Sequence, residues 1–207
     1  MEQVKRKLTI LDQITASDKV RSKIIDAASE LYAKKGFAAT SIQEISEMAG
    51  VDLPITYHYV KNKSEIMRMI MEDVLSTFQN SLLKEIQDLH DPEEKLHIAI
   101  ILYMRIIEKH RDKLLLIYQK SSSMDRAAKT RIMQLEVDVA DVFKEIISEG
   151  IAQGAYESLD VDLMAYNIMM LAHMWILKHW HFKHRLTLDK YIDLQLGIIM
   201  NALHKVS

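Results

Sequence analysis

Glycine and proline are scarce in this chain, with 5 Gly and 2 Pro among 207 residues. Average usage of the two together is about 12%. A sheet protein needs turn residues about every 8–12 positions. A chain so short of them cannot reverse direction often enough to build sheets, so the expected class is all-α. Its 49% apolar residues are enough to bury a sizeable core. The absence of cysteine excludes disulfides, thiolate metal sites and thiol nucleophiles.

Caps and 3.6-residue periodicity predict about nine helices. The first is expected over 18–35, with Ile24, Ala27, Ala28, Leu31 and Tyr32 on one stripe and Gly36-Phe37 closing it. The second starts at Thr40, which has capping-box spacing to Gln43, and reaches Met48. The third opens at Asp52 and tolerates Pro54 in its first turn. A long fourth follows Asn62-Lys63-Ser64-Glu65 and extends to about Leu89. Asp91-Pro92-Glu93-Glu94 starts the fifth, which ends near His110. The sixth covers 112–120, and the seventh follows Ser123 and fades at Gly150 and Gly154. The eighth runs from Asp160 to Phe182, and the ninth starts at Thr187.

The apolar stretch Leu8–Leu11 is too short for a secretory leader, and Ile98–Ile107 is too short to span a membrane. A cytoplasmic protein with no membrane partner is expected. Residues 1–63 carry 10 Lys and Arg against 8 Asp and Glu, while 64–207 carry 17 against 21. That offset points the N-terminal part toward a polyanion. Lys5, Arg6 and Lys7, with Lys19, Arg21 and Lys23, form either an arm that tracks nucleic acid or a solvated tail.

The stretch 40–59 holds two short helices joined by Ala49-Gly50-Val51, with a third helix before them. This is a helix-turn-helix arrangement, in which the second short helix enters the major groove of DNA. On pattern alone, a helical hairpin inside a larger bundle is equally compatible. Resemblance separates the two readings. Ile24-Ile25-Asp26-Ala27-Ala28, Leu31-Tyr32, Lys35-Gly36-Phe37, Thr40-Ser41-Ile42, Glu44-Ile45, Ala49-Gly50-Val51, Tyr57 and Lys61-Asn62-Lys63 resemble the DNA-binding domain of the TetR family of one-component transcriptional regulators.

That resemblance implies a DNA-binding domain over 1–63 and a ligand-binding and dimerisation domain over 64–207. It implies phosphate contacts from Thr40, Tyr57 and Lys63, beside Ser41 and Lys61, which set register rather than sequence. Leu53, Ile55, Thr56 and His58 fall on or beside the recognition helix, where they would meet base edges. The chain departs from the family at Leu53-Pro54-Ile55, at Tyr59 and at Val60. Ile55 lacks the hydroxyl that the family places against phosphate, so Tyr57 and Lys63 carry the phosphate reading instead.

The partners implied are double-stranded operator DNA, a second copy of the chain and a small effector. Helices four to eight would enclose an apolar cavity with Tyr103, Met104, Ile107, Tyr118, Phe143, Met170 and Met174 as candidate lining. The last two helices would form the dimer through Leu171, Trp175, Tyr191, Leu194 and Ile198. The pattern from Trp175 through Trp180-His181-Phe182 to Leu188 is similar to a branch that answers to acyl-CoA thioesters. Arg111, Lys120, Arg126, Lys129 and Arg131 are candidates for the CoA phosphates. Other readings are a broad-specificity drug-sensing repressor and a helical protein-interaction module without DNA binding.

No enzyme is expected. A di-metal carboxylate bundle needs two Glu-x-x-His motifs, and only Glu94-x-x-His97 exists. His181 and His184 are i,i+3 neighbours without a nearby acid, so no metal and no cofactor are expected.

Overall fold

The computed structural model describes the backbone of residues 2–204 and the side chains of 17–122 and 124–204. Among these residues there are ten α-helices, one short 3-10 helix and no strand. The order is α1 (Glu2–Lys35), α2 (Ile42–Ala49), α3 (Leu53–Tyr59), α4 (Lys63–Ile86), α5 (Pro92–Lys109), α6 (Arg111–Lys120), a 3-10 turn (Ser121–Ser123), α7 (Arg126–Ala152), α8 (Val161–Leu177), α9 (His179–Phe182) and α10 (Leu188–Leu203). Among the described residues, no helix is long and apolar enough to cross a membrane.

Contacts divide the chain into two compact units. The first holds the chain through Ile70 together with Leu116–Lys129, and the second holds Met71–Leu115 with the chain from Thr130 onward. α4, α6 and α7 contribute residues to both.

In the first unit, α1 buries Ile24, Ile25, Ala28, Leu31 and Tyr32. It ends where Gly36 takes a left-handed φ of 84° and its N–H donates to the Tyr32 carbonyl at 3.0 Å. An L side chain resists that conformation, which is why glycine stands there. α1 starts at Glu2 rather than at Asp18 as expected. No Gly or Pro falls between residues 2 and 17 to interrupt it. The side chains of Lys5, Arg6 and Lys7 lie outside the described residues. α2 is capped one residue later than expected. Ser41 and Glu44, not Thr40 and Gln43, form the reciprocal capping box. α2 ends at Gly50, again left-handed, with Val51 N–H donating to the Ser46 carbonyl at 3.1 Å.

In the second unit, Phe78 of α4, Tyr103 of α5 and Phe143 of α7 meet ring against ring, with centroids 5.1 to 5.9 Å apart. α8 and α10 pack through Trp175 and Tyr191, whose centroids are 4.9 Å apart, and Tyr191 Oη donates to the Leu171 carbonyl at 2.6 Å. The single helix expected from Asp160 to Phe182 is two, broken at Lys178. Seven residues of straight helix rise about 10.5 Å, yet the Trp175 and Phe182 rings stack at 6.3 Å and 16°. The break is what lets the later ring fold back onto the earlier one.

Candidate nucleic-acid interface

The α2–α3 pair is locked from the inside by hydroxyls. Thr56 is fully buried on α3 and Ser46 is buried on α2. Ser46 Oγ donates to the Val51 carbonyl at 2.6 Å and so accepts from Thr56 Oγ1 at 3.0 Å, with the Asp52 carbonyl 3.3 Å from the same Thr56 hydroxyl. Every polar atom of this joint is therefore engaged, as a buried joint requires. Thr56, expected at a base edge, is instead turned inward and fixes the angle of the recognition helix.

The opposite face of α3 is open. Ile55 is 45% exposed and Tyr57 is 51% exposed, with His58, Pro54 and Lys61 exposed beside them and Leu53 half-buried. α3 contains no acidic residue, and Asp52 at its N-terminus makes no side-chain cap. The elbow between α2 and α3 forms a groove of about 330 Å³ whose lining includes Gln43, Glu47 and Asp52. Two acids there repel phosphate, so the polyanion-compatible surface lies on the Tyr57–His58–Lys61 side.

Thr40 and Lys63 were expected at the phosphate surface, and the structure gives both an inward task. Thr40 is 2% exposed and its hydroxyl donates to the Gly36 carbonyl at 2.9 Å. Lys63 Nζ donates to three carbonyls, of Phe37 at 2.7 Å, Ala38 at 3.2 Å and Thr40 at 2.9 Å, and sits 4.7 Å over the Phe37 ring. An ammonium has three N–H donors, and all three are committed. Burial, and then the charge of Lys35, hold its pKa below the ordinary lysine value. Lys63 clamps the α1–α2 turn rather than offering a spare donor. Ser41 remains exposed at the start of α2, with its oxygen engaged by Glu44. The Lys35 hydrogen bond, then those from Ser41, hold the Glu44 carboxyl down to about 2. The capping box thus keeps its charge at any ordinary pH.

Two contacts in this unit carried no sequence signal. Asn62 Nδ2 donates to Asp125 Oδ2 at 3.2 Å, and Asp125 N–H donates to Ser64 Oγ at 3.3 Å. Asp125 Oδ1 also accepts from Ala128 N–H at 2.8 Å, capping α7. Asp125 thus ties the start of α7 to the start of α4, its side chain reaching Asn62, 63 residues earlier, and its N–H reaching Ser64, 61 residues earlier.

The candidate effector residues divide. Tyr103, Met104, Ile107 and Phe143 are buried together in the second unit, and Met174 is half-buried. Met170 is 47% exposed, because it lies on the outward face of α8, and Tyr118 belongs to the first unit. These two are not brought to the interior with the others. The candidate phosphate cations also fall in both units, and several are already paired. Arg111 holds Glu108 and Asp112, Arg131 holds Glu72, and Lys129 donates to the Ser122 carbonyl.

The dimer candidates divide too. Trp175 and Tyr191 are 4% and 2% exposed and pack inward, Trp175 Nε1 donating to Glu108 at 2.8 Å. The outward apolar surface keeps Leu194, Ile198 and half-buried Leu171 of these candidates and adds residues of α8 that were not among them. Leu163, Met170 and Leu177 recur every seven residues on α8, and Leu194 and Ile198 stand exposed on α10 with half-buried Leu171 nearby on α8. Among the described residues, no three His, Asp or Glu side chains converge on a metal position. The ring of His97 instead donates from Nδ1 to the Glu93 carbonyl at 3.1 Å.

Residues 24–70 match the model of the bacterial regulatory proteins of the tetR family, and residues 89–184 match the tetracyclin repressor-like C-terminal domain. The HTH-type transcriptional regulator HbdR of Aromatoleum sp. (strain CIB) is 29% identical over 173 residues, covering 84% of this chain and 76% of that one. FadR from Bacillus subtilis, solved with stearoyl-CoA, shares the fold with a TM-score of 0.73 and 22% identity, over 88% of this chain and 99% of its own. AibR, solved with isovaleryl coenzyme A and operator DNA, gives a TM-score of 0.70 and 21% identity, over 89% and 100%.

Proposed function

Since the chain belongs to the TetR family of transcriptional regulators, we propose that it is a repressor that holds operator DNA as a homodimer and releases it when an acyl-CoA enters its C-terminal half. Residues 1–63 are the DNA-binding domain and 64–207 the effector and dimer domain. The observation that carries the reading is the rigid α2–α3 joint, with Thr56 and Ser46 buried behind it and Ile55, Tyr57, His58 and Lys61 exposed in front. Tyr57 and Lys61 meet phosphate, with Ser41 at the edge of the same surface. Leu53, Ile55 and His58 meet bases, where Ile55 suits a thymine methyl. Thr40, Thr56 and Lys63 hold this surface from behind.

One recognition helix makes too few contacts for a useful specificity ratio, so two must act together. The exposed Leu163, Met170, Leu177, Leu194 and Ile198 face supplies the second copy's seat. The names of AibR and FadR support an acyl-CoA as effector, as does the apolar interior around Tyr103, Met104, Ile107 and Phe143. The protein acts in the cytoplasm, where its operator lies, and has no catalytic role. Genomic fragments captured by the purified dimer, followed by band shifts on the enriched sequence, test the reading. His58→Ala and Ile55→Ala should relax sequence preference, and Tyr57→Phe should weaken operator and random DNA alike. Failure to enrich any sequence over random fragments would overturn it.

A further inference from the structure

Residues 64–207 carry more acids than bases, yet the stretch from Leu163 to Leu188 contains no Asp or Glu. Its cations gather in the eight residues 178–185, which hold Lys178, Lys183 and Arg185 beside His181 and His184. Successive turns fold this segment tightly. Lys183 N–H donates to the His179 carbonyl at 3.0 Å, and Arg185 N–H donates to the Phe182 carbonyl at 2.8 Å. Seven steps of helix rise about 10.5 Å, so the three cations stand within the span of one small ligand. All three are exposed, and among the described residues none of them forms an ion pair. Arg185 donates from Nη1 to His181 Nε2 at 3.3 Å, which leaves most of its five N–H groups uncommitted. Trp180 stands in the middle of them at 68% exposure, more than any other large apolar side chain among the described residues. The ring meets His181 edge-on at 5.5 Å, and most of it is open to solvent.

We propose that residues 178–185 are the surface that receives the nucleotide part of CoA, with Trp180 stacked on the adenine and Lys183 and Arg185 paired with the phosphates. This rests on the acyl-CoA reading above. The CoA nucleotide combines a flat base with a diphosphate and a 3′-phosphate. An open indole answers the first, because stacking on an aromatic side chain asks only for a π-face. Cations with no acid of their own answer the second, because a phosphate then displaces no existing ion pair. Arg111, expected from the sequence for this task, lies close by and is already spent. It donates to His179 Nε2 at 2.8 Å and holds Glu108 and Asp112, the two acids whose charges reach His179. Lys178, Lys183 and Arg185 are the cations of this region left over.

The test removes the nucleotide and keeps the acyl chain. Calorimetric titration of the full-length protein compares octanoyl-CoA with octanoyl-pantetheine. Acrylamide quenching of tryptophan fluorescence follows Trp180, since the other tryptophan, Trp175, is buried. Wild type should favour octanoyl-CoA by about tenfold or more, the worth of one stacked base, and bound CoA should shield Trp180 from acrylamide. Trp180→Ala, and separately Lys183→Gln with Arg185→Gln, should each cut that preference by about threefold or more and leave octanoyl-pantetheine affinity unchanged. A purely structural role would weaken both ligands together and keep the ratio. The nucleotide assignment alone falls if wild type binds the two ligands equally, or if either variant keeps the full preference. It falls too if inorganic pyrophosphate or random duplex DNA shields Trp180 as well as CoA does, since the surface would then read charge alone. If wild type binds neither thioester, the effector reading falls first and takes this inference with it.

Discussion

Lys63→Met separates two roles for one residue. The substitution keeps an unbranched stem over Phe37 and deletes the ammonium. Three carbonyls lose their donor, those of Phe37, Ala38 and Thr40. Ala38 is exposed, so water replaces the donor there, whereas Phe37 and Thr40 belong to buried residues. An unsatisfied buried acceptor costs roughly 1–3 kcal/mol. With partial rehydration, and about 0.5 kcal/mol for the contact over the ring, the clamp contributes about 2 kcal/mol. For a chain of this length that is a fall in Tm of roughly 4–8 °C. The assays are thermal unfolding and DNA binding by fluorescence anisotropy across a salt series. A clamp loses stability and leaves the dependence of log affinity on log salt unchanged. A phosphate contact would leave Tm in place and make that slope shallower by about one unit. An unchanged Tm with a shallower slope would refute the clamp.

Three more outcomes follow from the same structure. His173 has a folded pKa near 4 against an ordinary 6.5, so its contribution is complete above pH 6.5 and drains away as pH falls toward 4. Urea titrations from pH 7 to 4.5 should show wild type losing about 2–3 kcal/mol more than His173→Gln, and parallel losses would contradict the assignment. Gly150→Ala would place its Cβ 2.2 Å from the ring of buried Tyr156, so roughly 1–3 kcal/mol of overpacking should outweigh the helix-propensity gain of about 1 kcal/mol. A raised urea midpoint would mean the ring gives way. Leu194→Asp with Ile198→Asp should yield a folded monomer in sedimentation, since both side chains are exposed in the protomer; a dimer that survives at micromolar concentration places the interface elsewhere.

Most helices were legible because their ends are written locally. Asp91-Pro92, Asp160, Thr187, Gly36 and Gly50 each act within one turn of their own position. Features that depend on distant partners were not legible. The break at Lys178 accompanies the stacking of Phe182 on Trp175, seven residues away, and no glycine or proline marks it. Around residue 40 two overlapping capping boxes compete, and only the structure assigns Ser41 and Glu44 the cap while Thr40 bonds back to Gly36. Thr56 read as a groove residue because it stands on the recognition helix, where a threonine can meet a thymine methyl, but its side chain is buried against the Ser46 hydroxyl. Trp175 and Tyr191 read as interface aromatics until α8 and α10 packed on them. His173 was hidden among its neighbouring histidines, since its partner Tyr103 lies 70 residues away.

In the repressor proposed above, DNA binding is coupled to binding of an acyl-CoA. Coupling of this kind is reciprocal: an effector that lowers operator affinity by some factor must have its own affinity lowered by operator to the same extent. Anisotropy titration of a labelled operator duplex, with and without saturating palmitoyl-CoA, gives the first factor. Calorimetric titration of palmitoyl-CoA into the free dimer and into the dimer–operator complex gives the second. A repressor of this kind should lose at least tenfold in both, equal within error. Operator affinity that is the same with and without the thioester would contradict it.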